Sequence, residues 1–136
     1  LWLIDEANNT AQLYRSRGPL TVQGAKARTC KEDVGRLKLQ AGTELVYRVP
    51  GQIRRVVVKA FQQQGGPSLE FGLSTDDGTY QSVPADHKAF AMPTDDYPYQ
   101  LPVKYTLTRE GVQGKYLKIT ARRVVEIGRV EIEYQR

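Results

Sequence analysis

Period-two alternation of apolar and polar residues, repeated along most of the chain, is the feature that most constrains the fold. Val103, Tyr105 and Leu107 interleave with Lys104, Thr106 and Thr108. Leu117, Ile119 and Ala121 interleave with Tyr116, Lys118 and Thr120, and Val130, Ile132 and Tyr134 with Arg129, Glu131 and Glu133. Such a pattern buries one face of an extended strand and leaves the other to solvent. No segment longer than a turn or two carries 3.6-residue apolar spacing. The expectation is an all-β chain whose half-buried strands pack as an antiparallel β-sandwich.

Turn residues divide the strands. Leu45, Tyr47 and Val49 alternate up to Pro50-Gly51, and residues 53–61 resume, which reads as a hairpin. Leu69, Phe71 and Leu73 alternate with Ser68, Glu70 and Gly72, residues 74–78 are turn-formers, and residues 80–83 return as a second hairpin. Residues 12–16 and 20–23 around Gly18-Pro19 suggest a third. Residues 24–43 and 84–100 stay irregular. If each connection returns the chain across the sandwich, the short turns at 50–51, 76–78 and 110–114 share one end. Residues 24–43, 62–67, 84–100 and 122–125 then share the other, and this long-loop end is the candidate binding surface.

With 136 residues and 40% hydrophobic content, the chain closes one core, so residues 1–136 are expected to form a single domain. Leu1, Trp2, Leu3 and Ile4 open it without an initiator Met or a signal-peptide layout. Residues 1–10 therefore read as a linker or interdomain segment, and the chain as a fragment of a larger protein. No apolar run approaches the ~20 residues a membrane-spanning helix needs. A lone Cys30 excludes an internal disulfide, and with the single His87 it cannot make a zinc site of the usual kind. The net charge is +5, with acidic residues dispersed among the basic ones. Either the surface is a solvated mixture of charges or it meets an anion, a glycosaminoglycan or an anionic lipid, whose binding would weaken steeply with salt. Nucleic acid is disfavoured, because no basic helix and no RNA-binding aromatic pattern is seen.

Catalytic arrangements are not legible. Asp95-Asp96 and Asp76-Asp77 are adjacent in sequence, whereas paired-carboxylate hydrolysis needs acids on opposite sides of a bond. No nucleophile elbow precedes any serine that His87 would serve. Calcium takes oxygen ligands from carboxylates and carbonyls scattered along loops, so Asp5, Glu6, Asp33 and Glu131 are candidates for a structural calcium site; the alternative is surface acids without metal. Sugar recognition needs a flat aromatic face and planar polar groups, with Arg added for acidic sugars. The long-loop end offers Tyr97 and Tyr99 beside Asp95 and Asp96, with His87, Arg122 and Arg123. Each has a plainer reading: Tyr97 and Tyr99 pin their loop around Pro98, and the arginines are solvated turn residues. Trp2 is either a stacking platform or a contact to a neighbouring domain.

Four segments occur in order: residues 45–51 (LVYRVPG), 74–80 (STDDGTY), 115–119 (KYLKI) and 127–132 (IGRVEI). Together they resemble the galactose-binding-like jelly roll, shared by discoidin (coagulation factor 5/8 C-type) domains and carbohydrate-binding modules appended to bacterial glycoside hydrolases. The resemblance covers roughly residues 40–134. It implies a non-catalytic, monomeric module that targets an appended glycoside hydrolase or polysaccharide lyase to polysaccharide, outside the cell or at its surface. It also implies a ligand among loops at one end, a frequent structural calcium, and a core role for Tyr80. The rival expectation is an accessory sandwich that packs on a catalytic domain without ligand.

Overall fold

The computed structural model describes residues 1–7, 10–23, 36–62, 67–89, 101–108 and 113–136. Their strands, in chain order, are β1 (Trp2–Asp5), β2 (Arg15–Arg17), β3 (Leu20–Gln23), β4 (Arg36–Leu39), β5 (Glu44–Arg48), β6 (Gln52–Gln62), β7 (Leu69–Ser74), β8 (Gln81–Val83), β9 (Asp86–Ala89), β10 (Leu101–Thr108), β11 (Tyr116–Ala121) and β12 (Val125–Gln135). They form two antiparallel sheets. The seven-stranded one runs β3-β4-β12-β6-β10-β9 with β1 also on β12; the five-stranded one runs β2-β5-β11-β7-β8.

Alternation chooses the buried faces. Leu37, Val56, Val58, Val103, Tyr105, Val130 and Ile132 of the larger sheet meet Leu45, Tyr47, Phe71, Leu117 and Ile119 of the smaller in one core. Each large apolar side chain withdrawn from water contributes roughly 1.5–3 kcal/mol. The Tyr105 hydroxyl, buried in this core, donates to Gln62 Oε1 at 2.7 Å and accepts from the Ser68 amide at 2.8 Å.

Consecutive strands mostly change sheet, which corrects two expected hairpins. β5 and β6 flank Pro50-Gly51 yet lie in different sheets, as do β2 and β3 around Gly18-Pro19. At the first corner a third segment takes the backbone groups that a hairpin would pair internally. The Val49 amide donates to the Lys115 carbonyl and the Ile53 amide to the Gly114 carbonyl, both at 2.9 Å. The β7–β8 hairpin forms as expected, pairing Phe71 with Val83 and Leu73 with Gln81.

At Gly114 these segments meet closely. A Cβ there would sit 2.8 Å from the Ser74 carbonyl oxygen and 2.9 Å from the Ser74 nitrogen. Gly114→Ala is therefore expected to lower stability by about 1–3 kcal/mol, the usual cost of overpacking against a fixed neighbour. A reduced urea midpoint at unchanged slope would register it; an unshifted midpoint would mean that the loops separate freely.

The sorting of loops between the ends holds in part. Leu101 pairs with Gln62, Ala121 with Leu69, and Val125 with Leu39, so the start of β10, the turn at 122–124 and residues 40–43 do share one end. Two segments depart from the expectation. Residues 86–89 are a strand, and β8 and β9 run the same way, so residues 84–85 merely carry the chain from one sheet edge to the other. Because Leu20 pairs with Leu39 and Gln23 with Arg36, β3 ends and β4 begins toward the opposite end.

Candidate functional site

The outer face of the five-stranded sheet carries a shallow groove among the described residues. Alternation that sends Leu45, Tyr47, Leu117, Ile119, Phe71 and Leu73 inward turns the intervening residues outward. Cross-strand register sets these in rows: Arg15, Val46, Lys118, Gly72 and Ser82 in one, and Arg17, Glu44, Thr120 and Glu70 in the next. Gly72 leaves a gap in the first row, and Tyr80 fills its edge; an added Cβ on Gly72 would touch the Tyr80 Cβ at 3.4 Å. The result is a groove of about 280 Å³ lined by Tyr80, Lys118, Glu44, Glu70, Ser82 and Thr120. A second hollow of about 300 Å³ shares Glu70, Phe71 and Ser82 and opens toward Pro84 and Ala85 at the sheet edge.

Turn chemistry holds Tyr80. Ser74 Oγ accepts the Asp76 and Asp77 amides at 3.2 and 2.9 Å and donates to Asp76 Oδ1 at 3.0 Å. Asp76 Oδ1 also accepts the Gly78 amide at 2.8 Å and the Thr79 amide at 3.2 Å. These amides, Gly78 first, hold the Asp76 carboxyl below its ordinary range. Asp77, at a φ of +62°, is thereby aimed over the sheet. There it takes both arms of the Arg15 guanidinium, at 2.8 and 3.1 Å, and the Tyr80 hydroxyl. The Arg15 hydrogen bonds, then the Tyr80 hydroxyl, hold the Asp77 carboxyl low. Burial, then the hydrogen bond to Asp77, pushes the Tyr80 phenol up, so the ring presents a neutral hydroxyl. β2 and β7 lie three strands apart, so this forked pair crosses the outer face above β5 and β11.

The groove combines an aromatic ring with hydroxyls and balanced charges. The Lys118 ammonium lies 4.4 Å from the Tyr80 ring centroid and 4.0 Å from Glu44; Arg122 pairs with Glu70 at 3.2 Å. Farther along the face, Tyr14 meets Tyr116 edge-on at 5.5 Å, and Arg48 sits 5.7 Å from each ring. Such a surface offers an apolar ring, hydroxyl donors and acceptors, and few uncompensated charges.

The residues expected from sequence fall differently. Tyr97, Tyr99, Asp95, Asp96 and Asp33 lie outside the described residues. His87 is on edge strand β9, opposite Tyr105 and stacked on it at 5.9 Å. Arg122 and Arg123 are exposed in the β11–β12 turn, and Arg122 borders the groove through Glu70. No hydrogen bond or ion pair joins His87 to Arg122.

Of the calcium candidates, Asp5 is buried, accepts the Tyr47 hydroxyl at 2.7 Å and accepts the Ala7 amide at 2.9 Å. Glu6 and Glu131 both pair with Arg129. These three carboxylates are engaged with protein donors, and no group of three or more His, Cys, Asp or Glu side chains converges among the described residues, from which Asp33 is absent. Sequence reasoning passed over Tyr80 as core, read Lys118 and Thr120 only as the polar face of a half-buried strand, and gave Ser82 no role. The available signal was Gly72, since glycine inside a strand often marks a close approach.

The fold is a two-sheet antiparallel β-sandwich. Its architecture is similar to the module CsCBM6-3 from Clostridium stercorarium in complex with cellobiose, with a TM-score of 0.57 and 12% identity over 98% of this chain and 94% of that one. It is also similar to the carbohydrate-binding module CBM6cm-2 of Cellvibrio mixtus lichenase 5A in complex with cellotriose, with a TM-score of 0.53 and 14% identity over 98% of both chains. The K2 cleaved adhesin domain of Lys-gingipain shares the fold as well, with a TM-score of 0.57 and 12% identity over 97% of this chain and 89% of that one. The sequence matches no protein-family model and no curated protein.

Proposed function

We propose that this domain is a non-catalytic carbohydrate-binding module that holds an enzyme of the same polypeptide on polysaccharide outside the cell. The observation that carries the reading is the groove in which Tyr80 lies beside Ser82, Thr120, Lys118 and two glutamates on a rigid sheet face. Sugar rings stack their C–H faces on such aromatics and exchange hydroxyl hydrogen bonds with such neighbours. Support comes from the shared fold with modules solved with cellobiose and cellotriose, glucose oligomers that suggest a neutral glucan as the first probe. Tethering acts through effective concentration rather than through bond cleavage.

Native gels containing hydroxyethyl cellulose or another soluble glucan test this. Wild-type protein should be retarded, and Tyr80→Ala should weaken retention about tenfold, as expected for losing an aromatic anchor. The paired change Tyr97→Ala and Tyr99→Ala, made separately, tests the loop alternative. Retention that survives both sets of changes would sink the aromatic-platform reading.

A second reading has its own observation. Trp2 and Ile4 are 48% and 41% exposed on β1, an apolar strip suited to packing on a neighbouring domain. A wild-type domain that ignores every glycan gel, neutral or acidic, would favour that accessory role.

A further inference from the structure

The opposite face of the sandwich gathers positive charge that the sequence scatters. In the seven-stranded sheet the core takes Val58, Ala60, Val103, Tyr105, Val130 and Ile132, leaving Lys59, Lys104 and Arg129 on the outer face. Register places Arg129 opposite Lys59, Lys59 opposite Lys104, and Lys104 opposite Lys88. Four cations from β12, β6, β10 and β9 thus form one straight row across the strands, about 5 Å from one to the next.

The row is unequally compensated. Arg129 pairs with Glu131 at 2.5 Å and with Glu6, which neutralises that end. Lys59, Lys104 and Lys88 form no ion pair among the described residues. Asp86, two residues before Lys88 on the same face, sits opposite Thr106 and forms none either. The flanking rows are Asp86, Thr106, Val57 and Glu131 on one side and Pro102, Phe61 and Glu126 on the other, with Glu131 paired to Arg129 and Glu126 to Arg36. Like charges placed directly opposite on adjacent strands destabilise a sheet. Three in a line are a standing cost that an anionic partner removes.

We propose that the Lys59–Lys104–Lys88 row binds an acidic polysaccharide, a chain carrying a carboxylate or sulfate on successive sugars. An extended glycan spaces such charges by about one sugar length, comparable with the strand spacing that sets the lysines. Single-stranded nucleic acid would want exposed rings for base stacking. The aromatic beside the row, Phe61, is already covered by the Arg36 guanidinium, 3.8 Å above its ring. An anionic membrane would meet Glu131 and Glu133 between the lysines and the exposed Trp2 and Ile4. The choice of a polysaccharide over other polyanions rests on the glycan-binding reading; the site lies on the other sheet from the groove and uses none of its residues.

The test compares wild-type domain with the triple variant Lys59→Gln, Lys88→Gln and Lys104→Gln. Gels contain polygalacturonate or alginate, and solution assays use oligo(dT) and phosphatidylserine vesicles. Wild type should be retarded by the polyuronates at low salt and released as salt rises. The triple variant should bind at least tenfold more weakly, with a salt slope smaller by about 2–3, roughly one per lost contact. Its melting temperature should hold or rise, and its retention on neutral glucan should not change, which separates this row from the groove. Polyuronate binding equal in both proteins, none in wild type, or wild-type preference for oligo(dT) or vesicles would each overturn the proposal.

Discussion

Glu126→Ala is expected to cost about 3–5 kcal/mol, a large share of a small domain's stability. Glu126 and Arg36 are 1% and 2% exposed and pair at 3.4 Å between β12 and β4, with the guanidinium stacked on Phe61. Removing the carboxylate takes the counter-charge from a buried cation, and the part of its desolvation cost that Glu126 offsets is then exposed. Urea unfolding followed by tyrosine fluorescence would measure the loss. Replacing both partners, Arg36→Met with Glu126→Leu, should recover most of it, because two apolar groups of similar volume require no pairing. A single variant within about 0.5 kcal/mol of wild type, the range of ordinary surface changes, would show that Arg36 reaches solvent when unpaired.

Asp5→Ala should be of comparable size, about 2–5 kcal/mol, because it strands two buried donors, the Tyr47 hydroxyl and the Ala7 amide. Asp5 ends β1, and Tyr47 belongs to β5 of the other sheet, so this contact ties the first strand across the sandwich. Amide exchange should report it as lost protection in β1 before the core opens. The pair also carries a pH signature. Burial, then the nearby Asp5 carboxylate, pushes the Tyr47 phenol well above its ordinary range. Above about pH 10 the unfolded phenol releases its proton while the folded one keeps it. The unfolded state then binds fewer protons, so stability is intact below that pH and falls as pH rises, by about 1.4 kcal/mol per unit for this group. Tyr47→Phe should remove that share of the alkaline slope; an identical slope in both proteins would locate the effect elsewhere.

Much of the architecture is legible along the chain. The strands at 103–108, 116–121 and 129–134 follow from alternation, and the β7–β8 hairpin follows from Ser74 to Gly78, where Asp77 takes the left-handed conformation the turn needs. β4 and β9 were missed because four-residue strands are too short to show a period. Pro50-Gly51 was misread because a turn dipeptide reports that the chain reverses, not which sheet receives it. The candidate site was less legible. Tyr80 follows a turn and reads as core, whereas the Arg15–Asp77 pair that positions it joins residues far apart in sequence.

What the sequence determined by itself is the inside and outside of each strand, because alternation is local: neighbouring side chains point to opposite faces whatever the strand pairs with. Only the tertiary structure decided which outward residues became neighbours. Lys59, Lys88 and Lys104 are separated by long stretches that include acidic residues and look like a dispersed surface. Strand pairing sets them in one line, and the same pairing sets Tyr80 and Lys118 around Gly72. The physical reason is that lateral register is fixed by burying the opposite faces in the shared core, a non-local condition no single segment carries.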